Sequence, residues 1–115
     1  MKERHITADV VFVPPEQGGR AEPPQDLNSG AYRPHLHVEK LRQGEWNPEE
    51  TNDASDYLGV SFTGGPKATE CAELYRVRLA LPYGVDYSAL VKGCTFTIRE
   101  GSTAVGFGVV IEGIQ

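Results

Sequence analysis

Cys94-Thr95-Phe96-Thr97-Ile98-Arg99-Glu100-Gly101-Ser102-Thr103-Ala104-Val105-Gly106-Phe107-Gly108-Val109-Val110-Ile111 is the stretch that decides the fold. Cys94, Phe96 and Ile98 fall on one face, and Thr95, Thr97 and Arg99 on the other. That is the two-residue period of a half-buried strand. Glu100-Gly101-Ser102-Thr103 then turns the chain, with Gly101 free to take positive φ. On the return, Val105, Phe107, Val109 and Ile111 continue the apolar face, which leaves Gly106 and Gly108 opposite. Glycine weakens a strand, so this pair predicts another backbone packed close by.

The same period recurs upstream. Ile6, Ala8, Val10 and Phe12 share the inner face of a first strand, which Pro14-Pro15 ends because proline cannot donate to a ladder. Glu16 to Ser29, rich in Gly, Pro, Gln and Asn, reads as a long loop. Tyr32, Pro34, Leu36 and Val38 form a second inner face, with Arg33, His35, His37 and Glu39 outward. Pro34 marks an edge or a strand start. Leu58, Val60 and Phe62 mark a third strand, closed by Gly64-Gly65-Pro66. Tyr75, Val77, Leu79 and Leu81 face inward on a fourth, with Arg76 and Arg78 outward. Pro82-Tyr83-Gly84 is a turn, and Tyr87 to Val91 is a short connection. Six strand patterns with Gly/Pro turns and no long amphipathic helix argue an all-β barrel or sandwich. Closure would hide the edges that so many strands expose.

The 115 residues suit one domain. Cys71 and Cys94 have no CxxC or zinc spacing. Met1 to His5 is charged and the apolar run after it is short, which predicts no signal peptide. No stretch has the roughly 20 apolar residues of a membrane helix. A cytoplasmic, reducing setting is the expectation. The net charge of −5 is local. Glu45, Glu49, Glu50, Asp53 and Asp56 lie in an acidic loop insertion near 43–56. Without these five, the acidic and basic residues balance at 11 each. A nucleic-acid binder usually shows the opposite, a basic stripe.

Three blocks carry a family likeness. Phe96-Thr97-Ile98-Arg99-Glu100-Gly101 with Val105-Gly106-Phe107-Gly108-Val109-Val110 resembles the end of the third, C-terminal domain of elongation factor Tu. Gly30-Ala31-Tyr32-Arg33-Pro34 is similar to that family's Gly-Tyr-Arg-Pro segment. Ala8-Asp9-Val10-Val11-Phe12-Val13, followed by Gly18-Gly19-Arg20, is a weaker match. The blocks keep the family's order across most of the chain, with a divergent middle. The resemblance implies a six-stranded antiparallel closed barrel.

Chemistry motifs are absent from the sequence. Gly64-Gly65-Pro66-Lys67-Ala68-Thr69 lacks the Gly-Lys-[Ser/Thr] ending of a phosphate loop, and Pro66 removes an N–H donor where one is wanted, so no nucleotide is expected. His35 and His37 at i, i+2 point the same way, but no spacing selects a third ligand, so no metal or other cofactor is expected. Without a G-x-S-x-G elbow, and with Cys94 in line with Phe96 and Ile98, no catalytic residue is assigned.

Binding is the remaining class. In the resembled family this barrel helps hold the acceptor and T-stem of aminoacyl-tRNA, and its Tyr-Arg-Pro arginine matches Arg33, its Arg-Glu-Gly acid Glu100. The family's turn usually runs Gly-Gly-Arg, whereas here Ser102 and Thr103 follow Gly101. Asp86 holds a family lysine's position and reverses its charge. Removing one cation from a phosphate lowers affinity and reduces the salt slope by about one unit. Trp46, Tyr83 and Tyr87 have no interleaved cations, so loop anchors or a protein interface suit them better than base stacking. The expectation is a non-catalytic module that binds a protein partner through Arg33, His35, His37, Arg99, Glu100, Trp46 and Asp86, with tRNA as the alternative. Partners of the natural class are those that recognise the factor's third domain, an exchange factor or a docking toxin, which would make the chain a decoy or immunity-like protein.

Overall fold

The structure is a computed structural model that describes residues 4–18, 22–38, 57–101 and 103–114. Its strands are β1 (His5–Phe12), β2 (His35–Val38), β3 (Tyr57–Gly59), β4 (Ser61–Gly64), β5 (Leu74–Ala80), β6 (Thr95–Glu100) and β7 (Thr103–Glu112). They form one antiparallel sheet in the order β3-β2-β6-β7-β1-β5-β4. The one helical element among the described residues is a 3₁₀ turn at Pro15–Gln17. No helix among them is long and apolar enough to cross a membrane.

The expected closed six-stranded barrel is corrected. The sheet has seven strands and curls into an open half-barrel. The stretch predicted as one strand, Leu58 to Phe62, changes neighbours at Val60. Its first part pairs with β2 and its second with β5. β3 and β4 are therefore the two edges of the sheet, consecutive in the chain with no ladder between them. Val60 N–H donates to the Pro34 carbonyl and Phe62 N–H to that of Tyr32, both at 3.0 Å.

The concave side holds the core. β1 alternates as its sequence requires, with Ile6, Ala8, Val10 and Phe12 buried. Leu36, Leu58, Phe62, Val77, Leu79, Phe96 and Ile98 join them, and Leu27, Tyr87 and Leu90 are added from the loops. Burying a Leu, Ile or Phe side chain stabilises by about 1.5–3 kcal/mol, so this alternation is the main force behind the curl.

The return strand of the last hairpin presents the opposite face from the one expected. Ile98 pairs with Gly106 but Arg99 pairs with Ala104, so Val105 is an extra residue. Such a bulge reverses the alternation that follows it. Val105 is buried, and beyond it Gly106 and Val110 are buried while Phe107 is half exposed. The close backbone predicted at the glycines is present. A Cβ on Gly106 would lie 2.6 Å from the Val11 carbonyl oxygen, and one on Gly108 2.6 Å from that of Asp9. The Phe96 ring fills the space that a Gly108 side chain would need, at 2.7 Å.

Candidate functional site

Two segments meet beside the turn that follows β6. The first is the run leading into β2. Gly30 adopts φ +80°, a left-handed conformation that glycine tolerates. Its N–H donates to the Phe62 carbonyl at 2.9 Å, and its carbonyl accepts from Ser61 Oγ at 2.9 Å. The same carbonyl accepts from Arg33 Nε at 3.1 Å, which orients the exposed guanidinium. Leu27 anchors the run from below, fully buried.

Tyr32 joins this run to the hairpin. Its ring packs 5.1 Å from Phe62 and 6.2 Å from Phe12, between centroids. Its hydroxyl reaches out of that cluster and donates to Glu100 Oε2 at 2.6 Å. A short hydrogen bond to a carboxylate is roughly twice as strong as one between neutral groups. Gly101 takes φ +62°, as the turn requires, and Glu100 pairs with Thr103 across it.

The sheet register brings several sequence-predicted residues together. His35 lies opposite Arg99 on β6 and opposite Gly59 on β3. Arg99 is half-buried, and its Nε donates to Thr97 Oγ1 at 3.0 Å. Arg33, His35, Arg99 and Glu100 thus lie at the same end of the sheet, His35 opposite Arg99 and Glu100 held by Tyr32.

Other predicted residues do not join it as expected. His37, placed on the solvated outer face by its period, is buried with 2% exposure. β2 is an interior strand, so His37 has the register neighbours Tyr57 and Thr97 on both sides rather than an open edge. Asp86 lies in the segment after β5. It accepts from the Ser88 N–H at 2.9 Å, and hydrogen bonding to Ser88 holds its carboxyl below the usual range. It closes a local turn there. Trp46 and the acidic loop near 43–56 lie outside the described residues.

Tyr32 is the residue of this group whose role the sequence does not disclose. Alternation identifies the inward ring, but the hydroxyl's partner is 68 residues away. The Tyr-Arg-Pro and Arg-Glu-Gly blocks, read together, are the available signal. Among the described residues, no three His, Cys, Asp or Glu side chains cluster so as to hold a metal. Burial pushes the Cys94 thiol pKa up, which disfavours the nucleophilic thiolate. No family model matches the chain.

Proposed function

We propose that this chain is a non-catalytic binding module, built like the third domain of elongation factor Tu, that engages a protein partner through Arg33, His35, Arg99 and Glu100. The observation that carries this reading is the 2.6 Å bond from Tyr32 to Glu100. It fixes the hairpin turn against the segment bearing Arg33, so the surface is ordered before any partner arrives. Preorganisation of this kind lowers the ordering cost of association. The group presents both signs of charge, and Glu100 would oppose a phosphate near Arg99. A mixed-charge rim suits a protein interface, where charges set register and partner choice. The partner class that fits is a protein able to recognise a translation factor's β-domain.

The test compares wild type and Arg33→Glu as baits, with folding of both checked by circular dichroism. One protein retained by wild type and lost with the variant is the expected result. A synthetic tRNA acceptor-stem duplex is run beside it in a low-salt shift assay. A complex with that duplex at micromolar protein, weakened by salt and by Arg33→Glu, together with no retained protein, would replace this reading with the RNA one.

A further inference from the structure

Ser61 is a buried polar side chain with 5% exposure. It stands between Val60 and Phe62, whose side chains belong to the core, so alternation turns Ser61 away from that core. A serine on such a face ordinarily meets water. Gly30 lies against it instead. The Gly30 carbonyl accepts from Ser61 Oγ at 2.9 Å, and a Cβ on Gly30 would sit 3.5 Å from the same oxygen.

The Gly30–Ala31 peptide is a junction. Its oxygen takes two donors, Ser61 Oγ from the buried side and Arg33 Nε from the exposed side at 3.1 Å. Its N–H, on Ala31, donates to Ser29 Oγ at 3.2 Å. Gly30, at φ +80°, has no Cβ to limit rotation of that peptide, so the carbonyl keeps its direction only while its partners hold it. Ser29 is exposed and Ser61 is not. Water competes for the Ser29 bond more than for the Ser61 bond, which makes Ser61 the stronger hold. Among the described residues, the Arg33 guanidinium makes no other hydrogen bond than the one from Nε. Its direction therefore follows that of one carbonyl, and its two Nη groups form the edge left for a partner.

We propose that Ser61 is a positioning residue for Arg33. Through the Gly30 carbonyl, this buried hydroxyl fixes which way the guanidinium points, and with it the edge offered for binding. A guanidinium held in place loses less freedom on association. The role rests on Arg33 being a contact residue, as proposed above. A serine that served the fold alone would tie down the loop and leave the guanidinium indifferent to it.

NMR relaxation and solvent exchange of the Arg33 Nε–H in the free chain test this. In wild type the order parameter of this group should exceed about 0.6. In Ser61→Ala it should fall below that value, with exchange at least ~3-fold faster. Ser61→Thr keeps a hydroxyl and should match wild type. Thr69→Val is the control, because it removes a buried hydroxyl that ties Pro24 of the same loop and leaves Gly30 untouched. It should lower Tm without changing the Arg33 signal. Should Ser61→Ala fail to fold, Ser61→Cys replaces it, since a thiol is a weak donor of similar size. An Arg33 signal unchanged by loss of the hydroxyl would overturn the proposal. So would equal loosening in Thr69→Val, or no recovery in Ser61→Thr. The readout needs no partner, so it holds or fails separately from the Arg33→Glu capture experiment.

Discussion

The hydroxyl of Tyr32 and the carboxylate of Glu100 meet at 2.6 Å across 68 residues of chain. The bond couples the segment before β2 to the β6–β7 turn. Tyr32→Phe keeps the ring between Phe12 and Phe62 and removes only the hydroxyl. The expected loss is about 1–2 kcal/mol, the lower part of the range for a hydrogen bond to a charged group, because the site is half exposed. Urea unfolding of Tyr32→Phe, Glu100→Gln and the double variant measures it. Because both changes act on one bond, the double variant should cost less than the two singles together.

Gly108 is the second point of close approach. A methyl group there would meet the Asp9 carbonyl and the Phe96 ring at 2.6 and 2.7 Å. The carbonyl belongs to the β1 backbone and cannot turn away. Gly108→Ala should therefore cost about 1–3 kcal/mol by overpacking. Gly84, with open space where a methyl group would sit, is the control. Gly84→Ala should fall within about ±0.5 kcal/mol, or stabilise slightly by restricting the unfolded chain. Midpoints of chemical denaturation separate the two outcomes.

Asp9 gives the molecule an acid-sensitive pairing. The Arg76 guanidinium holds its carboxyl below the usual range, chiefly by hydrogen bonding. A carboxyl whose folded-state pKa is depressed contributes stability that is present above its unfolded value. That contribution is lost as pH falls through the folded value. Asp9→Asn should therefore flatten the acid limb of a Tm-versus-pH profile below about pH 4. At neutral pH the variant should melt slightly below wild type, and added salt should shrink the gap because the pair is near the surface.

Cys94 should be slow to react. Burial raises its pKa, so little thiolate is present at neutral pH. Iodoacetamide near neutral pH is expected to label Cys94 only slowly in the native protein, and at the rate of a free thiol in urea. Mass spectrometry of the labelled peptides reads the difference. Rapid native labelling of Cys94 would contradict its partly buried position against the core, just before β6.

The parts of the fold legible in the sequence are those set by short-range alternation. β1 can be read residue by residue, because no bulge interrupts Ile6 to Val11 on its β5 side. The glycine pair announces a close backbone, and β1 supplies it. What cannot be read depends on pairing. The extra residue Val105 reverses the face of Phe107 and Val109, and period alone cannot locate a bulge. The change of partner at Val60 follows from where β2 and β5 end, which Leu58-Gly59-Val60-Ser61-Phe62 does not record. His37 obeys its alternation yet is buried, because the strands beside it decide how covered an outward side chain is. At the candidate site, Arg33, His35, Arg99 and Glu100 stand out in the sequence. The bond that unites them needs the third dimension.

The position of β1 between β5 and β7 bears on biogenesis. A ribosome delivers residues 5–12 long before residues 103–112, and one flank of the earlier ribbon stays bare until the later one emerges. All the intervening polypeptide must be synthesised before β1 is flanked on both sides, so completion of the sheet trails far behind its start. In the interval the nascent chain offers an unpaired hydrophobic ribbon to chaperones, or to another nascent copy on the same message.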